Sequence, residues 1–419
     1  MSPAPVDPAS PEQEKEPGSA RFTYRARLSA TAERLLLAEW DRDRWVWNMC
    51  VETSKKGHAH NRAHPGNKQT CGPARLCREL ARWRAEHAWL RRGSSVPQQQ
   101  IIRDFATSRA KALKDIKDRI PMRKRAGMPK FKAKGRARPS LNYNRQGFRL
   151  KTDDQGRTRV HLAGGIVVRP VWSRALPADP SSVRVYQDSL GHWYLSFVVP
   201  TQVRELPETG AVIGVDWGVS EVATTTSDAH DLPHPEFGKK AADRLARYQR
   251  QMARRRAPKG KKATKGYLNA KHHAAKAHRK VARQRQDHAR KWAKNVMVNH
   301  DRIAVEDFKP KFLATTTMAR KAADAAIGAT KAALIEMGRK HGRDIRLTHP
   351  AYTTMDCAAC GARTKHRLPL GERTYTCIVC GVSRPRDKNS AHVMLVRAGF
   401  VPATADRTGP ARPPDEKAA

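Results

Sequence analysis

The spacing of hydrophobic and polar positions changes several times along the chain, and each change predicts an element. Phe22, Tyr24, Ala26 and Leu28 alternate with polar or basic residues, the period of a strand with one buried face. From about Thr31 the period becomes helical, with Leu35, Leu36, Leu37, Trp40, Trp45, Trp47 and Met49. A second helical block follows at about 73–90, carrying Leu76, Leu80, Trp83 and Trp89. A third opens at Ser94-Ser95-Val96-Pro97, where a Ser cap and an early Pro fit a helix start. Strand patterns return at 141–143, 148–151, 159–162 and 166–171, and 183–199 reads as a hairpin turning near Gly191. Strands flanking a helical block make a small β-barrel interrupted by a helical subdomain the simplest architecture.

From Thr209 the pattern differs. Residues 211–216 (AVIGVD) form a continuous apolar run, as in a strand buried on both faces, and end in an acid. Val222–Thr226 returns as a β-branched strand. A long Arg-, Lys- and Ala-rich helical stretch then spans about 241–299, broken near 257–266 (APKGKKATKG), which predicts a helical hairpin with a basic tip. RIAVEDF at 302–308 is another short apolar strand ending in acids. A helix at about 318–341, a strand at 345–348 and a last helix after Asp387 complete an α/β pattern.

Charge narrows the partner. The 419 residues hold 82 Lys and Arg against 39 Asp and Glu, a formal charge of +43 spread over most of the chain. A compact protein so charged repels itself unless a polyanion neutralises it, so nucleic acid is the expected partner. No run of 18 apolar residues and no basic amphipathic face marks a membrane protein. The first residues lack the basic and apolar regions of a secretory signal, which with seven cysteines suits a reducing cytoplasm. The segment MRKRAGMPKFKAKGRARPS reads as an extended, phosphate-facing loop. Lys130, Lys132 and Lys134 would lie on one side of its backbone and Phe131 on the other.

Two constellations carry chemistry. Cys357 and Cys360 form one CxxC pair, and sixteen residues later Cys377 and Cys380 form another. Two such pairs point to one structural, tetrahedral Zn2+ held in a zinc ribbon. After six further residues comes Asp387, just before the last helix. Asp216 and Glu306 each sit at the end of an apolar strand. Phosphodiester hydrolysis commonly uses two divalent cations held by carboxylates from separate elements, so Asp216, Glu306 and Asp387 are the candidate ligands of two Mg2+ (or Mn2+) ions. Glu306 and Asp307 are adjacent and face opposite sides in a strand, so only one can join the site.

These residues carry a resemblance. IGVDWGV, IAVEDF and the order CxxC…CxxCG…RDKNSA resemble the three RuvC motifs of the TnpB (OrfB) family of transposon-encoded nucleases, relatives of compact type V CRISPR effectors. GMPKFK, RQRQDHARKWA and HPAYTTMDCAACG resemble further family segments, so the likeness covers about 21–400. It implies a multidomain α+β protein: a wedge-like N-terminal β-barrel interrupted by a helical recognition subdomain, then an RNase H-like RuvC nuclease domain with an inserted zinc ribbon. The expected boundaries are a disordered leader at 1–20, barrel at 21–45 and 139–208, and recognition helices at 46–138. The nuclease core follows at 209–349 and 384–400, with the ribbon at 350–383 and a disordered tail at 401–419.

The resemblance further implies that Asp216, Glu306 and Asp387 cut double-stranded DNA beside a short flanking motif, directed by a guide RNA, with one or two protein copies on one RNA. Lys130, Lys132, Lys134, Arg285, Arg363 and Lys365 are the expected nucleic-acid contacts. The chain departs from the family pattern at Pro385, where an acid is usual, and at Trp217, Ser390 and Val393; none removes a metal ligand. Two other readings stay open at this point: a guided binder with weak or no cleavage that represses by occupancy, and a zinc-ribbon DNA-binding transposase accessory without a guide.

Overall fold

A computed structural model describes residues 18–401 apart from 259, 367 and 370. The expected leader and tail fall outside these residues except at their inner ends, where Ser19 and Ala20 belong to the first strand instead. The chain divides into two compact units, 1–201 and 202–419.

The first unit opens with β1 (Ser19–Arg27). Four helices follow before the chain returns to strands: α1 (Ala30–Ala63), α2 (Pro73–Glu86), α3 (Ala88–Arg91) and α4 (Ser95–Lys117). The Ser29 and Ser94 hydroxyls cap α1 and α4 by accepting from the Ala32 and Val96 amides. Then come β2 (Ser140–Asn144), β3 (Phe148–Thr152), β4 (Thr158–Leu162), β5 (Ile166–Pro170), β6 (Ser182–Gln187) and β7 (Trp193–Pro200). All pair antiparallel in the order β2-β6-β7-β1-β5-β4-β3. The consecutive strands β2 and β3 are thus the two edges of one sheet, although only residues 145–147 join them. So short a link forces the edges together, and the sheet curls into a half-barrel whose seam carries no ladder among the described residues. Its alternate side chains fill the interior: Tyr24, Leu141, Tyr143, Val185, Leu195 and Phe197 are buried in the same cluster as Leu36, Val46 and Ile102 of the helices.

In the second unit, β8 (Val212–Trp217), β9 (Glu221–Thr225) and β10 (Leu232–Pro233) lead into the long helices α5 (Phe237–Arg254) and α6 (Lys265–Asn299). After β11 (Arg302–Glu306) come α7 (Ala319–Ala325), α8 (Ile327–His341) and β12 (Asp344–Thr348). The sheet order is β10-β9-β8-β11-β12, with β8, β11 and β12 parallel. The single helix expected at 318–341 is two, broken where Ala326 adopts a left-handed φ of 54°. A small hairpin, β13 (Thr374–Thr376) with β14 (Ser383–Pro385), precedes α9 (Arg386–Arg397).

The apolar strands divide their faces as burial on both sides requires. Ile213, Val215, Ile303 and Val305 pack with Trp292, Val296 and Leu334 of α6 and α8. Ala304 packs on the opposite face with Met394 and Leu395 of α9. Gly214 permits that second contact, since a Cβ there would collide with the Ala391 carbonyl oxygen.

Candidate nuclease and metal sites

The face of the sheet that α9 covers also collects the acids. Along β8, Gly214 and Asp216 share a side, as do Ala304 and Glu306 along β11. The two strands run parallel with Val215 beside Val305, so Asp216 and Glu306 emerge together one residue further on. Asp387 lies in the first turn of α9, which Gly214 lets down onto β8. The three positions therefore converge at one sheet edge from three separate elements.

The electrostatics register this convergence. Burial, then the carboxylates of Glu306 and Asp387, pushes the Asp216 carboxyl well above the usual range. Burial likewise lifts Glu306 to about 7. Glu306 Oε2 is buried without a hydrogen-bond partner, an expensive arrangement that a bound cation relieves. Asp387 is met by Arg386 Nε at 3.4 Å and Arg373 Nη1 at 3.7 Å. Asp307 turns the other way, into a 2.6 Å ion pair with Lys331 of α8. Among the described residues, no carboxylate trio has its ligand oxygens all within 4.8 Å.

The four cysteines do meet that limit: their sulfurs all lie within 4.8 Å of one another. Cys357 and Cys380 Sγ are 3.7 Å apart, Cys360 and Cys377 Sγ 3.6 Å. These separations are far too long for disulfides. They match the roughly 3.8 Å edge of a tetrahedron with 2.3 Å metal–sulfur bonds. Each pair sits in the same backbone knuckle. The Cys357 amide donates to Ala362 O and Gly361 to Cys357 O; the Cys377 amide donates to Val382 O and Gly381 to Cys377 O. Gly361 and Gly381 supply the left-handed turns, at φ 74° and 71°. Burial pushes the Cys377 thiol up, but the Cys380 and Val379 amides and the neighbouring sulfurs outweigh it, bringing it down to about 7. Burial and the neighbouring thiols raise Cys357 and, to about 12, Cys360, so Cys377 releases its proton before either of them.

Sequence reasoning missed the residues that lock the two sites together. Asn389, fully buried, donates to Asp356 O at 2.7 Å and accepts from the Ala358 amide, tying α9 to the first knuckle. Lys388 reaches the other way, to Asp231 at 2.7 Å and Thr225 O at 2.9 Å, with Asp228 as a further partner. The residues flanking Asp387 are thus anchored on both sides. Their polarity next to an acid was the available signal, but their partners lie 31 to 163 residues away.

Three of the expected nucleic-acid contacts have partners within the fold. The 130–132 segment is strapped to α1: Trp47 Nε1 donates to Lys130 O and Asn48 accepts from the Lys132 amide. Lys132 turns inward, its Nζ 3.6 Å from the Trp47 ring centroid and 5.3 Å from that of Trp40. Burial lowers its ammonium to about 8 against the pull of Asp104 and Asp43. The alternation argument fails because a buried indole face attracts a cation as well as a phosphate does. Lys130 and Lys134 are exposed, and so is Phe131, which carries Lys55 over its ring. Arg285 is committed to Asp324 at 2.8 Å. Arg363 is committed to Asp356 at 2.6 Å and to the Tyr352 ring. Lys365 is exposed, and Arg367, which the same loop contains, lies outside the described residues.

Two stretches of the chain match known family models. Residues 196–315 match the OrfB_IS605 family, described as a probable transposase, and residues 328–394 match the Cas12f1-like TNB domain. The chain is similar to the TnpB (OrfB) family. A Streptomyces pristinaespiralis protein named "Putative RNA-guided DNA endonuclease" is 27% identical over 375 residues, covering 88% of this chain and 87% of the relative. An Escherichia coli K12 protein named "Putative RNA-guided DNA endonuclease InsQ" is 28% identical over 390 residues, covering 88% and 90%. The solved structure of a Cas12f1–sgRNA–target DNA complex aligns over 91% of this chain and 99% of that one, with a TM-score of 0.51 at 12% identity. That likeness establishes a shared fold, the mixed α/β build of a compact Cas12 effector. No described helix is long and apolar enough to cross a membrane.

Proposed function

We propose that this chain is an RNA-guided DNA endonuclease, hydrolysing phosphodiesters of double-stranded DNA at the Asp216, Glu306 and Asp387 cluster. The observation that carries the chemistry is the convergence of three carboxylates on one sheet edge, one of them holding a buried, unpartnered oxygen. That donor set fits hard divalent cations, Mg2+ or Mn2+. When bound, two such ions supply a clamp on the attacking and leaving oxygens and a nucleophilic water at neutral pH. Asp216 and Glu306 would hold the ions from the sheet and Asp387 from α9, while Lys388 and Asn389 keep the helix start in register with the strands. Arg373 and Arg386, already at Asp387, place cationic donors where a phosphate oxygen would lie.

On this reading the half-barrel is the wedge, α1–α4 form the recognition subdomain, and the five-stranded unit is the RuvC core. The four cysteines hold one Zn2+ in a ribbon spanning 350–383. The zinc performs no chemistry; it fixes the knuckle to which Asn389 anchors α9. Lys130, Lys134 and Lys365 remain as exposed phosphate contacts. The test has two parts. RNA extracted from the purified chain is sequenced, and a DNA duplex matching that RNA is offered with Mg2+. Defined RNA and cutting that Asp216→Ala abolishes are expected. No bound RNA of defined sequence, or undiminished cutting by Asp216→Ala, would overturn the reading.

A further inference from the structure

Trp217 is one of the positions at which the chain departs from the family pattern, and the fold gives its indole a use. The ladder between β8 and β11 ends at Val215 beside Val305, one residue short of the acids. The next peptide of β11 turns its Asp307 amide to Thr348 O of β12, at 2.8 Å. The amide and carbonyl of one peptide point to opposite sides of a strand, so Glu306 O faces β8. A longer ladder would meet that carbonyl with a main-chain amide. Here β8 breaks into a turn instead, and the Gly218 amide goes to Val222 O. The Trp217 side chain supplies the missing donor: Nε1 reaches Glu306 O at 3.1 Å in a buried bond.

The ring is held in place for this. Trp217 is buried on the face of β8 that carries Ile213 and Val215, opposite Asp216. Trp292 of α6 packs edge-on against it, 6.1 Å between ring centroids and 65° between planes. Trp292 is itself fixed by donating to His230 O at 2.7 Å. The backbone amide of Trp217 lies near enough to both acids to draw their carboxyls down against burial. One residue thus reaches both acid-bearing strand ends. Phe has a ring without the donor and an aliphatic side chain has neither, so either would leave a buried carbonyl unpaired.

We infer that Trp217 is a positioning residue: its indole N–H replaces the last rung between β8 and β11 and sets the spacing of the Glu306 and Asp216 carboxylates. This inference rests on the assignment of those two acids to the site proposed above. Carboxylates on adjacent strands can share two ions only while the strand ends keep their distance. A misplacement of about 1 Å is enough to cost on the order of 100-fold in rate. The indole acts through the Glu306 main chain, from the helix-covered side of the sheet.

The test replaces Trp217 in the full chain, as purified with its RNA, by 3-benzothienylalanine, which keeps the bicyclic shape and carries sulfur in place of the N–H. Trp217→Phe is read the same way, so that the outcome does not hang on one variant. Three quantities are measured: calorimetric melting, hydrogen exchange of peptides covering 302–308, and cleavage of DNA matching the bound RNA across a Mg2+ series. The isostere should melt within about 4 °C of the parent. Its amides at 305–308 should exchange about fivefold or more faster, the effect of one lost hydrogen bond. The Mg2+ needed for half-maximal rate should rise about tenfold, while KM for the DNA stays within about twofold. A merely structural role would lower the melting temperature and the active fraction but leave the Mg2+ requirement where it was. Parental Mg2+ dependence, or unchanged exchange at 305–308, overturns the positioning role. If Asp216→Ala abolishes cutting while the isostere cuts like the parent, the positioning role alone falls. If Asp216→Ala cuts like the parent, the acid assignment falls and the positioning role with it.

Discussion

Asp324 bears the base of the basic hairpin, and its replacement by Asn is the sharpest test of how this fold holds so much positive charge. The carboxylate is 4% exposed. Oδ1 accepts from the Gly238 amide at 2.7 Å and from Arg285 Nη2 and Nε at 2.8 and 3.1 Å; Oδ2 accepts from the Gly238 and Lys239 amides at 2.9 and 3.0 Å. Asn keeps the shape but turns one acceptor into a donor facing an N–H, and it leaves the Arg285 guanidinium, mostly buried, without its counter-charge. Breaking a buried pair from one side costs about 3–5 kcal/mol. Taking 3 kcal/mol as the effect in a unit of about 200 residues, the expected drop in Tm is roughly 6–12 °C.

Differential scanning calorimetry on Asp324→Asn, Arg285→Gln and the double variant measures it, and the double variant should lose about 1–3 kcal/mol less than the sum of the singles. Burial pushes the Asp324 carboxyl up, but the Gly238 amide, Arg285 and the Lys239 amide outweigh it and hold it below the usual value. A depressed folded value means the stabilisation is fully present above about pH 4 and is lost as pH falls through that lower value. The variant and parent should therefore converge in acid. Single-variant losses below about 0.5 kcal/mol, or strict additivity of the two changes, would refute that role. Gly238→Ala should also destabilise, since its Cβ would lie 2.7 Å from Arg285 Nη2 and 3.0 Å from the Asp324 carboxyl carbon.

Two further outcomes follow from the acid and cysteine sites and one from the first unit. Asp216→Asn and Glu306→Gln should each slow cleavage of guide-matched DNA by at least about 100-fold, the loss of several kcal/mol of charge stabilisation, with unchanged guide binding; near-parental rates would remove either residue from the site. Cys377→Ser should take zinc from one ion per chain to none by mass spectrometry of the metal and should loosen the 350–383 segment to proteolysis; full retention of zinc would contradict the ligand set. Lys132, lowered to about 8 by burial, keeps its proton in the unfolded chain up to about 10.4. The unfolded state binds more protons between those values, so the first unit should gain stability as pH rises through that window, by about 1–2 kcal/mol after allowing for partial exposure. Lys132→Met should flatten the gain in urea titrations at pH 7.5 and 10, and an equal gain in the variant would show that the ammonium is not buried.

The contrast between Asp216 and Lys132 shows which signals a sequence carries and which it does not. Asp216 was legible because its information is local: six residues of apolar run fix a buried strand, and the acid at its end must then emerge at the sheet edge. The cysteines were legible for the same reason, since CxxC closes a knuckle within four residues. Lys132 obeyed an equally local rule and broke it, because the Trp47 ring that captures it belongs to a helix 85 positions earlier and no periodicity reports that ring's direction. Arg285 is similar in this respect, its charge met by an acid 39 residues on. The barrel was legible as strands but not as an unladdered seam, which emerges only when β2 and β3 prove to be opposite edges of one sheet.

Gly214 is the most instructive case. In sequence it is one glycine in an apolar run; in the fold it is the gap through which the Ala391 carbonyl approaches β8, and hence the reason Asp387 can stand near Asp216 at all. That gap gives the ribbon its bearing on the chemistry. Asn389 fastens the same helix turn to the first cysteine knuckle while Lys388 fastens it to the loop after β9. A metal that sets the knuckle therefore sets one of two anchors of the third acid, and the remaining anchor still holds α9 on the sheet. Loss of zinc should accordingly misplace Asp387 without unfolding the core, so that Cys377→Ser loses cleavage well before it loses the calorimetric transition of the second unit.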